Sequence, residues 1–344
     1  GQTVKSVALF NGHVYGDISD KFFYDAAGTL YFWSGSYRAL YLWQDMNTPM
    51  DPTEDPENNP DCYWADASYG YDIETGSVTP DPYYPGVLYA AIQDSTAVLF
   101  NYPGYYIGYL DFNSATFDGV ADVTYGINPD YDTTPGSYFM TGIATYFDDY
   151  YNYNFAVSFY GASMTSGGTA SSGVLKTDWG GYSFTTYPEQ PMSAVASPVP
   201  ASATLPRDIG YVNGRLYVIC SPAYAYPSMS GIVDGTVVGG KSELWVLDTD
   251  LNPVSGISTA GLSTGYQTKV GATKNGKLVY PMRFIAPPKD GYLYVSQWPV
   301  DYNAYYSSYF SDYLSTTPWT SWFKIEGTGL IDGPTSASDP LPNT

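Results

Sequence analysis

One signature recurs along this chain and constrains its fold more than any other feature. A glycine is followed two residues later by Leu or Val, and then by an aromatic residue or Val. The copies are Gly12-His13-Val14-Tyr15, Gly28-Thr29-Leu30-Tyr31, Gly86-Val87-Leu88-Tyr89, Gly214-Arg215-Leu216-Tyr217, Gly276-Lys277-Leu278-Val279 and Gly291-Tyr292-Leu293-Tyr294. In four of them the glycine follows Asn11, Asn213, Asn275 or Asp290. Asn-Gly and Asp-Gly between apolar runs mark tight hairpins, because a type I′ turn needs positive φ at both central residues. Each copy therefore reads as two antiparallel strands joined by a short turn.

The spacing of the copies says how the hairpins are organised. Gly28 and Gly86 are 58 residues apart, Gly86 and Gly214 are 128 apart, and Gly214 and Gly276 are 62 apart. The middle interval is two steps of 64, which places a degenerate copy near residue 150, within 146–160. A further strand ending in an acid follows each hairpin: Leu40 to Asp45, Ile107 to Asp111, Leu244 to Asp248 and Trp322 to Glu326. Three or four strands repeated every ~60 residues is how a propeller blade reads. The expected fold is all-β, a β-propeller of about five to six blades; a multi-sheet β-sandwich or two β domains is the alternative. The 38 Tyr, 15 Phe and 8 Trp suit pleated surfaces, and 35 Gly with 26 Pro leave little room for long helices.

The stretch Asn213-Gly214-Arg215-Leu216-Tyr217-Val218, with Glu243-Leu244-Trp245-Val246-Leu247-Asp248 after it, resembles a kelch-like or quinoprotein-like blade of the β-propeller repeat proteins. That resemblance implies a fold and carries no activity with it. Residues 1–344 read as a single propeller domain with two excursions. The acidic, Pro-rich segment 45–85 reads as an inserted loop, and 188–206, with Pro188, Pro191, Pro198, Pro200 and Pro206, as an extended connector.

Charge narrows the partners. With 34 acids against 13 bases the net charge is −21, which excludes nucleic acid as a partner because phosphate binding needs a basic footprint. Membrane insertion is not expected, since no apolar run approaches the ~20 residues of a spanning helix. The expected setting is secreted or extracellular: a bacterial surface, the periplasm or a viral particle. Expected partners are a glycan or another protein subunit, including a homo-oligomer or filament. Asp51, Asp55 and Asp61 gather oxygen ligands suited to Ca²⁺, although without the EF-hand spacing; no other cofactor is expected. Cys62 and Cys220 either close a disulfide across a long loop or are two buried thiols.

Five of the thirteen bases hold one position relative to the hairpins. Lys5, Lys21, Arg207 and Lys269 stand seven residues before Gly12, Gly28, Gly214 and Gly276, and Arg283 eight before Gly291. They mark the start of the strand entering each hairpin, at the sheet end opposite the turns. There they could ring a channel mouth and hold an anion, with the Arg207 and Arg283 guanidinium forks as the best grips. The same row also reads as shielding of strand ends.

Catalytic motifs are absent from the sequence. His13 is the single histidine, so triad and zinc chemistry would rest on it alone. Carboxylate-pair chemistry needs only two acids at suitable separation, and Asp208 and Glu243 are the candidates. Tyr305, Tyr306 and Tyr309 sit in a Tyr-, Asn- and Ser-rich run suited to stacking or subunit contact. The expectation is a non-catalytic extracellular binding or assembly module of glycan-binding, adhesion or surface-appendage type. The alternative is a carbohydrate-active hydrolase or lyase with Asp and Glu at the channel mouth.

Overall fold

The computed structural model describes residues 21–34, 39–42, 62–65, 73–94, 104–111, 114, 116–128, 136–163, 169–170, 172–187, 195–196, 204–222, 232–233, 236–237, 243–254, 281–284, 292–297, 319–326 and 329–332. These residues form five antiparallel meander sheets in chain order. Blade 1 holds β1 (Lys21–Tyr24), β2 (Leu30–Ser34), β3 (Ala39–Leu42) and β4 (Cys62–Ala65). Blade 2 holds β5 (Ile73–Pro80), β6 (Val87–Asp94), β7 (Gly104–Asp111) and β8 (Thr116–Asp122). Blade 3 is β9 (Gly136–Phe147), β10 (Tyr153–Ser163), β12 (Ser172–Asp178) and β13 (Phe184–Tyr187), with β11 (Thr169–Ala170) paired to β14 (Val195–Ala196) beside it. Blade 4 shows β15 (Thr204–Val212), β16 (Arg215–Pro222) and β19 (Glu243–Asp248), and β17 (Ile232–Val233) pairs with β18 (Thr236–Val237) between them. Blade 5 is β20 (Pro281–Phe284), β21 (Tyr292–Gln297), β22 (Trp319–Glu326) and β23 (Gly329–Asp332).

The first strands of the blades touch in sequence, β1 with β5, β5 with β9, β9 with β15 and β15 with β20. Contact between β20 and β1 closes the ring. The fold is therefore a five-bladed β-propeller, at the lower end of the expected blade number.

Each middle blade is apolar on both faces because both faces meet another blade. In β6, Leu88, Ala90 and Ile92 join the core shared with blade 1, while Val87, Tyr89 and Ala91 join the core shared with blade 3. In β9 and β10, Ile143, Phe155 and Val157 face blade 2, and Ala144, Tyr146 and Ala156 face blade 4. That is the period-2 alternation of a strand with no solvent side. A fully buried ring such as Tyr89 or Phe155 contributes about 2–3 kcal/mol.

Buried polar groups fasten neighbouring blades. Asp25 accepts the Gly86 N–H at 3.2 Å, and Asp81 accepts the Tyr153 hydroxyl at 2.7 Å. Thr141 Oγ1 donates to the Pro206 carbonyl at 3.1 Å, and Asp208 accepts the Phe284 N–H at 3.0 Å. At Gly142 the strands approach so closely that a Cβ would lie 2.5 Å from Asp208 Oδ1 and 2.8 Å from its Cα.

Several sequence expectations meet the structure here. Asn213 and Gly214 both have positive φ, 49° and 78°, as a type I′ turn requires. The degenerate copy near 150 is the β9–β10 hairpin, turning at 148–152. The segment 45–85 is corrected: it contains β4 and the innermost strand β5. Its Pro and Asp residues flank those strands, and Ile73-Glu74-Thr75-Gly76-Ser77-Val78 lacks the apolar alternation that would have revealed one. Similarly, β15 opens within 188–206.

Candidate functional site

The residues singled out by sequence do not converge into one open site among the described residues. Lys21 opens β1, Arg283 lies in β20 opposite Ser296, and Arg207 lies at a bulge in β15, so three of the five bases are on innermost strands. The Arg207 side chain is buried, with its guanidinium carbon 5.7 Å from the Tyr160 ring centre in blade 3. Asp208 is fully buried; Oδ1 accepts its neighbour's Ile209 N–H at 2.9 Å and Oδ2 accepts Phe284 N–H. This carboxylate is a fixed acceptor that joins blade 5 to blade 4.

Glu243 opens β19 opposite Cys220, and Cys220 is buried in the core between blades 3 and 4. Cys62 opens β4. The side chains of Lys21, Cys62, Glu243 and Arg283 lie outside the described residues, as do Lys5, Lys269, Tyr305, Tyr306, Tyr309, Asp51, Asp55 and Asp61. Among the described residues, no group of three or more His, Cys, Asp or Glu is placed to hold a metal ion, and no helix is long and apolar enough to cross a membrane.

An open cleft lies elsewhere, at the turn end of blade 3. Two hairpin turns form its walls, and an Asp organises each by accepting backbone N–H groups, the usual reason for Asp at such positions. Asp148 Oδ1 accepts Tyr150 N–H and Asn152 N–H, both at 2.9 Å, and its Oδ2 accepts the Asn152 amide at 3.1 Å. Asp178 Oδ1 accepts Tyr182 N–H at 3.0 Å and Ser183 N–H at 3.3 Å. The cleft encloses about 480 Å³, within the range of small-ligand sites. Asn152, Tyr153, Asn154, Lys176, Trp179 and Thr185 complete much of its lining.

The electrostatics of the cleft are acidic. The Asn152 backbone N–H, and then its side-chain amide, hold the Asp148 carboxyl below its ordinary range. Asp178 Oδ2 takes no hydrogen bond among the described residues. Lys176 is the cation of the lining, and its Nζ is engaged by Asp250 Oδ1 at 3.2 Å. Burial, then the hydrogen bond to Asp81, push the Tyr153 phenol up, so this ring stays neutral and fixed.

Aromatic rings lead away from the cleft. Trp179 is 47% exposed. Its ring centre is 5.4 Å from that of Tyr153, which is 4.4 Å from Phe147, which is 4.7 Å from Tyr83 in blade 2. The sequence marks the Tyr-, Asp- and Asn-rich run 147–155 as a candidate aromatic surface, but not its partners at 176–179 and 183–185, which only the fold brings beside it. One signal was available: Asp148 to Asn152 and Asp248 to Asn252 share an Asp-x-x-x-Asn spacing.

No family model matches the sequence, and no curated protein matches it. Solved structures do. An endo-arabinanase from Bacillus licheniformis aligns over 91% of this chain and 96% of its own, at 11% identity and a TM-score of 0.40. The arabinanase of Cellvibrio cellulosa aligns over 91% and 94%, at 11% identity and 0.43. An α-L-arabinofuranosidase from Clostridium thermocellum aligns over 94% and 95%, at 11% identity and 0.42. A polysaccharide lyase, levansucrases and a sucrose-6-phosphate hydrolase are similar in the same degree. These neighbours are carbohydrate-active enzymes, and the expectation of a non-catalytic binding or assembly module is corrected on that finding. At such identities the likeness extends to the fold alone, so the reacting residues have to be read from this chain.

Proposed function

We propose that this chain is a carbohydrate-active hydrolase that cleaves a neutral glycan by carboxylate acid–base chemistry. The observation that carries the reading is the blade 3 cleft, where Asp148 and Asp178 line the same space as the half-exposed Trp179. An indole face takes the apolar side of a sugar ring, while amides and carboxylates take its hydroxyls. In hydrolysis one carboxyl gives a proton to the leaving glycosidic oxygen as the bond to the anomeric carbon breaks. The other carboxylate draws a proton from the water that bonds to that carbon. Asp178, with an uncommitted oxygen, suits the donor role, and Asp148, held ionised, suits the acceptor role. A lyase acting on acidic sugars fits less well, because the cleft offers no uncommitted cation for a uronate: Lys176 is paired with Asp250.

Incubation with arabinan, levan, xylan and a β-glucan, followed by assay of new reducing ends, tests this. The native chain is expected to release product from at least one. Asp178→Asn, which keeps an acceptor for the two turn amides, is expected to slow release at least a hundredfold, within the 10²–10⁴ range of general acid–base catalysis. No release from any of the four, or an undiminished rate in Asp178→Asn, overturns the proposal.

A further inference from the structure

Three turns among the described residues share one geometry, and one of them departs from its economy. In Asp25–Thr29, Asp148–Asn152 and Asp248–Asn252 the Asp N–H bonds the carbonyl four residues on, and the residue before that acceptor returns a bond to the Asp carbonyl. That fourth residue has positive φ in each: Gly28 (85°), Tyr151 (62°) and Leu251 (64°). Glycine adopts this conformation freely, whereas a side chain there carries strain. Leu251 is 3% exposed and fills the core between blades 3 and 4, so burial offsets its strain. Tyr151 is 78% exposed. Among the described residues neither burial nor a ring contact offsets it, and uncompensated strain of this kind clusters at ligand-holding positions.

Tyr151 sits beside Tyr150, 83% exposed, on the turn joining Phe147 to Tyr153. Those two rings are the middle of the aromatic line from Trp179 to Tyr83. The rings pack against one another with centres 5.4, 4.4 and 4.7 Å apart, the spacing of ordinary aromatic contacts, and both end rings, Trp179 and Tyr83, are exposed. The line begins at the acidic cleft, and the net charge of −21 disfavours a polyanionic occupant. We propose that this line, capped by the Tyr150–Tyr151 turn, is a track for an extended neutral polysaccharide, so that the cleft meets the interior of a chain of several sugar units. The inference rests on the hydrolase reading for what happens in the cleft and on the track alone for what is held. A second copy of this chain is the competing occupant.

Electrophoresis of the full chain through gels containing arabinan, levan, xylan or β-glucan tests it, with sedimentation velocity on the same samples. The native chain is expected to be retarded by at least one. The double variant Tyr83→Ser/Tyr151→Ser, whose replaced rings are mostly solvent-exposed, is expected to lose at least tenfold in affinity with its melting curve retained. Trp179→Ala is expected to do the same from the other end of the track. Equal retardation of native and double variant, or no retardation by any of the four, overturns the track. A native dimer that the double variant abolishes, without retardation, overturns it in favour of a subunit contact. Retardation without release of reducing ends leaves the track standing and removes the hydrolase; release without any effect of the double variant does the reverse.

Discussion

The turns of blades 3 and 4 are near copies that serve different ends. Each begins with an Asp whose carboxylate gathers N–H groups from residues two and four positions on, and each closes on an Asn. Each places a bulky residue in left-handed backbone. In blade 4 that residue is Leu251, directed into the core with Leu216, Val218 and Leu247. In blade 3 it is Tyr151, standing in solvent above a cleft. The same local strain is thus offset by packing in one blade and left standing in the other.

The largest break in this comparison comes from Leu251→Gly. Loss of the buried side chain costs about 3 kcal/mol and relief of the backbone returns about 1 kcal/mol, a net destabilisation near 2 kcal/mol in urea unfolding. Tyr151→Gly has the opposite sign. With no burial to lose, relief of the same conformation is expected to stabilise by about 1 kcal/mol, and equal or lower stability would show that Tyr151 makes contacts a static exposure does not reveal.

The smallest effect is on acid sensitivity. Burial raises the Asp248 carboxyl, but the N–H and amide of Asn252 and the N–H of Asp250 outweigh it, leaving the group below its ordinary value. Asp148 is lowered as well, by Asn152 first. A lowered carboxylate stabilises the fold above its unfolded pKa, and that contribution is lost as pH falls through the folded value, from roughly pH 4 downward. Asp248→Asn is therefore expected to be less stable at neutral pH and to lose less on acidification, read as a flatter dependence of the urea midpoint on pH.

The architecture was legible where one residue type does one job. Asn213-Gly214 announces its turn because little else tolerates two successive positive φ values, and the strands ending at Asp111, Asp248 and Glu326 stand out as apolar runs stopped by an acid. The blade 3 turn was harder to read because Tyr151 occupies the position where Gly28 serves in blade 1. β5 was harder still: Val78 is its one side chain in the described apolar cores, so no periodicity marks it. Asp208 was legible as important and not for its role, since only the folded ring brings the Phe284 amide to it. The cleft is a product of tertiary structure, assembled from two turns whose facing is set by the pairing of β10 with β12.

Three of the fastenings between blades share a direction. The buried carboxylates of Asp25, Asp81 and Asp208 wait for Gly86, Tyr153 and Phe284; in these three bridges the acceptor precedes its donor in the chain, whereas Thr141 in blade 3 donates forward to Pro206. During synthesis from the amino terminus, a blade that has folded ahead of its successor shows water a carboxylate at the margin of its apolar face. That charge stays hydrated until the matching donor emerges, and it repels the equivalent margin of another nascent chain. Blades 1, 2 and 4 are guarded in this way against premature association, and the closing seam, β20 against β1, has to wait for blade 5.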